Sequence, residues 1–228
     1  MTVEEILRWF KGHGSEHNRE GMARFGIKVE RAFGVSLTTV RGLAKELGRN
    51  QPLAEKLWQI GFHEARLLAS LIAEPKLVTR ELAESWAMDF NSWDLVDTCC
   101  NHLLRKTSLA WGLVSDWPRR KETFVRRAGY VMMAVLAVHD KAAADETFLA
   151  LLPVIEVGAS DERNFVKKAV NWALRQIGKR NLSLNAAAVE SAARLGESEN
   201  RAARWVGKNA YRELISEKIL DKMRKAAR

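Results

Sequence analysis

Cysteine, tyrosine and proline are scarce in this chain, with two, two and four copies among 228 residues. The two cysteines, Cys99 and Cys100, are neighbours, which excludes both a framework of disulfides and a metal site of recognised ligand spacing. They fit a reducing cytoplasm, which is the compartment expected. No apolar run approaches the roughly 18–20 residues of a membrane span, and the first five residues place Glu4 and Glu5 where a signal peptide needs basic residues. A membrane partner is therefore not expected. Alternating strand patterns and Asn-Gly or Asp-Gly hairpin turns are also missing. So are a phosphate-binding loop, a dinucleotide fingerprint, a nucleophile elbow and a zinc-protease motif. His63, His102 and His139 are scattered and read as capping or packed histidines, so neither a metal nor a cofactor is expected.

What is present is positive charge. The net charge of +9 points to an anionic partner, nucleic acid or an acidic surface. Residues 161–228 hold 16 Lys and Arg against 8 Asp and Glu, and the rest of the chain holds 21 against 20, so nearly all the excess is C-terminal. A solvated helix face accounts for such an excess as readily as a track for phosphates.

Apolar residues recur at helical spacing almost throughout. They predict an all-α chain with helices near 2–12, 16–25, 37–47, 52–60, 63–73, 79–89, 93–106, 108–115, 119–138, 144–157, 161–179, 184–195 and 200–224. Ser36 and Ser160 are candidate N-caps, Pro52 and Pro118 candidate first-turn prolines, and Pro75 follows a helix end. Pro153 makes segment 144–157 either kinked or two short helices. Helical pairs return every 35–45 residues or so, as in a solenoid of degenerate repeats, and the length suits one continuous domain over 1–228.

Three segments carry candidate chemistry. Asn91-Ser-Trp-Asp-Leu-Val-Asp97 opens a helix whose core stripe is Leu95, Val96, Cys99 and Leu103. Trp93 and Asp97 stack one turn apart on another face. They make either a packed indole with a solvated acid or an indole platform beside an acid or base. On helix 161–179 the stripe is Val166, Val170, Ala173 and Ile177, while Phe165 and Trp172 project among Lys168, Arg175 and Lys179. That combination suits stacking with phosphate neutralisation, and equally basic stems packed over an aromatic. The stretch Ala128–Val138 is apolar on nearly every side and marks a buried helix. Arg127 enters it in line with Phe124 and Val131 and so needs an anionic partner, whether Asp94, Asp97 or a phosphate.

In order along the chain, Gly21-Met-Ala-Arg-Phe-Gly-Ile27, Leu53-Ala-Glu-Lys-Leu-Trp58 with His63-Glu-Ala-Arg66, Asn91–Asp97, Phe124-Val-Arg-Arg127 and Phe165–Arg175 resemble the DNA alkylation repair family of HEAT-like-repeat DNA glycosylases. The resemblance implies a curved right-handed α–α superhelix, acting as a monomer on double-stranded DNA and associated with the nucleoid when bound. It implies hydrolysis of the N-glycosidic bond of cationic N3- or N7-alkylated purines without strand cleavage. By the same resemblance Asp97 matches the catalytic aspartate, Trp93 and Trp172 the aromatic pair, and Arg127 the active-site arginine. Phe25 aligns with a DNA-contacting tyrosine, and Lys168, Arg175, Lys179 and Arg180 would meet the backbone. Two departures stand out. Ser92 precedes Trp93 where many relatives carry a second tryptophan, and Phe25 keeps the ring without the hydroxyl. They keep open a module that binds damaged or branched DNA without hydrolysis. A protein-interaction solenoid is the third reading.

Overall fold

The structure is a computed structural model that describes residues 1–226. Among the described residues it is all-α, and it divides into two compact units, Met1–Ala110 and Trp111–Arg228.

The first unit holds α1 (Val3–His13), α2 (Glu16–Arg24), α3 (Leu37–Leu47), α4 (Gln51–Gln59), α5 (His63–Ile72), α6 (Arg80–Met88) and α7 (Trp93–His102). Helix α5 is central, packing on α3, α4 and α7. Its position follows from its composition, since Ala65, Leu67, Leu68, Ala69 and Ile72 bury two sides at once. Glu64 on the same helix is fully buried. Its carboxylate accepts from the backbone N–H groups of Phe33, Gly34 and Val35, at 3.0, 2.7 and 3.1 Å. Three amide donors satisfy a charge that would otherwise be costly to bury. Gly34 sits at φ +80°, where a side chain would also run into the Ser15 carbonyl, so the tight approach of this loop to Glu64 needs glycine. Trp58 and Trp86 stack at 4.0 Å and join α4 to α6.

The second unit holds α9 (Thr123–His139), α10 (Asp145–Leu149), α11 (Leu152–Gly158), α12 (Asn164–Gly178), α13 (Leu182–Gly196), α14 (Arg201–Leu214) and α15 (Glu217–Ala226), with α8 (Ala110–Asp116) beginning at its boundary. Helix α9 is buried from Arg127 to Ala137, in line with its apolar sequence, and emerges at Val138, which is 38% exposed. It packs along α12, which in turn meets α13 and α14. Helices α13 and α14 approach backbone to backbone. A Cβ added at Gly207 would lie 2.3 Å from the Gly196 nitrogen, so only glycine permits that crossing.

Most of the predicted helices are found within a residue or two, and the differences have local causes. Segment 144–157 is two helices, with Pro153 in the first turn of α11. Segment 200–224 is also two, because the chain turns at Ser216, whose hydroxyl donates to the Glu213 carbonyl at 2.7 Å. Helix α7 ends at His102 and is followed by a 3₁₀ turn, Leu104–Lys106. Pro118 lies in another 3₁₀ turn, Trp117–Arg119, which delays α9 to Thr123. Ser36 caps α3 by accepting from Thr39 N–H, as expected. Ser160 caps nothing. Its hydroxyl donates to the Val157 carbonyl, and Asp161 accepts from the Arg163 N–H that precedes α12.

Candidate functional site

In the first unit, α7 separates its faces as its periodicity requires. Leu95, Val96 and Cys99 are fully buried, whereas Trp93 and Asp97 are partly exposed. Trp93 is the first residue of the helix, and its indole N–H donates to the Phe25 carbonyl at 3.1 Å. That bond joins residues 68 apart and fixes the ring one turn from Asp97. Phe25 follows α2, with its own side chain 72% exposed. Thus the structure brings Phe25 and Trp93 into contact and sets an acid beside the indole.

Asp94, one of the partners considered for Arg127, meets His63 instead, with Nε2 2.8 Å from its Oδ2. Burial pushes the Asp94 carboxyl up, but the hydrogen bond and charge of His63 outweigh it and hold the group below the usual carboxylate range. No spacing in the sequence links these two residues, which lie on different helices. His63 is buried, the packed histidine anticipated. His102 ends α7 with Arg41 Nη2 3.4 Å from its Nε2. Burial, and then the charges of Arg41, Lys106, Arg105 and Arg49, push it down to about 4, so it is neutral at pH 7. Cys99 is likewise inert, its thiol pushed up to about 12 by burial.

In the second unit, Arg127 is 5% exposed, and its Nη1 donates to the Phe165 carbonyl at 2.7 Å. The guanidinium therefore ties α9 to the start of α12. From Phe165, the outward side of α12 runs through exposed Lys168 to partly exposed Trp172 and Arg175. The ring of Phe165 lies against Phe124, centroids 5.4 Å apart.

The cations differ sharply in their surroundings. Arg175 and Lys179 share the carboxylate of Glu213, Lys179 at 2.8 Å. Arg180, expected on the DNA backbone, has a side chain only 8% exposed. It donates to the carbonyls of Ala137 and Ala143 at 3.1 and 2.8 Å and covers the ring of Phe148 at 4.4 Å. Its role in the structure is to hold the end of α9 against the turn before α10, and a positive charge after a helix gave no hint of that. Sequence reasoning also passed over Trp205, which is 40% exposed on α14. The signal was there, as Arg201, Trp205, Lys208 and Arg212 share one helical stripe.

Among the described residues no group of three His, Cys, Asp or Glu side chains is placed to hold a metal ion, and no helix is long and apolar enough to cross a membrane.

A solved structure described as "a new family of proteins related to the HEAT-like repeat DNA glycosylases with affinity for branched DNA structures" shares the fold, with a TM-score of 0.79, 21% identity, and coverage of 94% of this chain and 96% of that one. No curated protein matches the sequence. The family model described as DNA alkylation repair enzyme matches residues 6–214. The protein has the all-α HEAT-like-repeat fold, and the chain belongs to the DNA alkylation repair enzyme family.

Proposed function

We propose that the protein is a DNA glycosylase that hydrolyses the N-glycosidic bond of purines carrying a cationic N3- or N7-alkyl group in duplex DNA, leaving the strand intact. The observation that carries this reading is the outward face of α7. There Asp97 is partly open to solvent, one turn from an indole that a hydrogen bond to the Phe25 carbonyl holds in place.

The chemistry follows from the substrate. An alkylated purine is already a cationic leaving group, so the bond to the sugar breaks with positive charge building on the deoxyribose. The catalyst mainly has to stabilise that charge and position water. A carboxylate beside the sugar does both, and an aromatic face next to it attracts the polarised C–H groups of the same sugar. Asp97 and Trp93 fill these roles. Trp172, as a second aromatic plate, and Arg127, as a holder of phosphate, take theirs from the family resemblance. Lys168, exposed on α12, would meet the backbone. Arg175 and Lys179 contribute only as far as Glu213 releases them, and Phe25, whose carbonyl holds the Trp93 indole, offers an exposed ring.

The test is release of base from a duplex containing one 7-methylguanine. Wild-type protein is expected to free the base and leave an abasic site, and Asp97→Asn to slow release by about a hundredfold or more. Equal release by the variant would remove Asp97 from catalysis. A second reading has its own support. The structural relative is described as having affinity for branched DNA, and Ser92 and Phe25 depart from the family pattern. On that reading the protein recognises bent or branched DNA through phosphates and shape. Tight binding to the lesion duplex without any release would select it.

A further inference from the structure

Helix α14 carries four cations against one acid, Glu213, and none of the four has a role in the proposed reaction. We propose that the outer face of α14, centred on Trp205, is a docking site for unpaired nucleotides. The indole would stack on a base, and Arg201, Lys208 and Arg212 would hold the phosphates on either side. The inference rests on the reading that the protein binds DNA, and extends it from duplex to single-stranded segments.

Arg201, Trp205, Lys208 and Arg212 follow one another at four, three and four residues, forming a single stripe about 16 Å long. The opposite side of the helix is closed by buried Ala202, Ala203, Val206, Gly207, Ala210 and Leu214, so the stripe necessarily faces out. Trp205 stands between two hollows. One, of about 360 Å³, is lined by the cations of the stripe together with Arg204. The other, of about 340 Å³, reaches toward α12 and Lys167. The Lys167 ammonium lies 5.1 Å from the ring centroid. Five cations thus line the two hollows, against one acid, Glu162.

Chemistry narrows the ligand. Some surface arginines of this unit meet acids, as partly exposed Arg163 meets Asp161 and exposed Arg194 meets Glu156. Arg201, Lys208 and Arg212 have no such carboxylate among the described residues. Like charges one turn apart on a helix repel, and a bound polyanion relieves that repulsion. A merely solvated face would need the charges and not the tryptophan, which leaves 40% of a large apolar side chain in water at its centre. An aromatic plate flanked by phosphate-binding cations is the arrangement that binds single strands with little regard for sequence. In a duplex the base faces are already stacked, so the indole would have nothing to cover.

The experiment uses the full chain and three fluorescent probes at low salt: oligothymidylate, a fully paired duplex, and the same duplex with a single-stranded flap. Wild-type protein is expected to bind the flap probe more tightly than the plain duplex. Trp205→Ala should weaken binding to the flap and to oligothymidylate roughly fivefold or more while leaving duplex affinity nearly unchanged. Trp205→Phe, which keeps a ring, should retain most of the effect, and circular dichroism of both variants checks folding. The proposal is overturned if wild type binds flap and duplex alike, if Trp205→Ala weakens all probes equally, or if polyglutamate displaces oligothymidylate with comparable potency. If wild type bound no duplex at all, the DNA-binding reading would fail as well. Duplex binding with an inert Trp205 would sink the docking site alone.

Discussion

Helices α12 and α14 of the second unit are similarly rich in cations. Five lie between Lys167 and Arg180, and four lie on α14. Their fates differ. Along α12, Arg175 and Lys179 converge on Glu213, and Arg180 just beyond the helix is buried against two carbonyls and a phenyl ring. On α14, Arg201, Lys208 and Arg212 face outward around Trp205. Glu213, the acid that satisfies the α12 cations, belongs to α14 itself, on the flank turned toward α12. The comparison separates a count of charges from the charge available to a partner. Most of the C-terminal half of α12 holds the fold together, while the stripe on α14 is left to the surface.

The sharpest way to break this distinction is Arg180→Ala. If the guanidinium is structural, its loss strands two carbonyl acceptors and uncovers Phe148. Thermal or urea unfolding should then show a loss on the order of 3 kcal/mol. The salt dependence of DNA binding by the folded variant should hardly change. An unaltered stability with weaker DNA binding would restore Arg180 to the interface.

Glu213→Gln should act in the opposite sense on binding. Released from their shared acid, Arg175 and Lys179 become available to phosphates, so affinity at low salt should rise and log K against log salt should steepen by about 1–2. The same residue gives α12 a pH dependence. Burial alone would raise the Glu213 carboxyl, but the hydrogen bond and charge of Lys179 and the charge of Arg175 hold it below its ordinary value of 4.5. Its folded-state pKa is thus depressed. The stabilisation it provides is complete above about 4.5 and is lost as pH falls through the lower, folded value. Acid titration of stability should show a component that disappears in Glu213→Gln. Its persistence would show that the ion cluster contributes nothing.

Lys208→Gln is the smallest change. It should leave stability alone and flatten the salt slope for single-stranded DNA by about 0.7, one phosphate contact's share. No change in slope would mean that Lys208 lies outside the contact surface.

Local features were legible without coordinates. The buried stripes of α7 and α12, the apolar length of α9 and the Ser36 cap all depend on residues within a turn or two, and helical periodicity reports them directly. Pro153 announced an interruption of segment 144–157, as a kink or a break, because proline disrupts a helix interior but suits a first turn, and the structure makes it a break. The break at Ser216 could not be read in this way, since nothing in Leu214-Ile-Ser216 forbids a helix. That turn is made by Ser216 bonding back to Glu213. The candidate site was legible in the same partial way. That Trp93 and Asp97 share an outward face could be read from spacing, whereas the bond that holds Trp93 to Phe25 spans 68 residues and has no sequence signature.

By itself the sequence determined an all-helical chain, the faces each helix would bury and the excess of positive charge. These are properties of the spacing and type of neighbouring residues. Tertiary structure alone decided which charges remain for a partner. An arginine is the same residue whether it covers a phenyl ring or faces water, and the difference lies in what another part of the chain brings within about 3 Å of its nitrogens. Arg180 and Arg127 received backbone carbonyls, Arg175 and Lys179 received Glu213, and the stripe around Trp205 was left exposed.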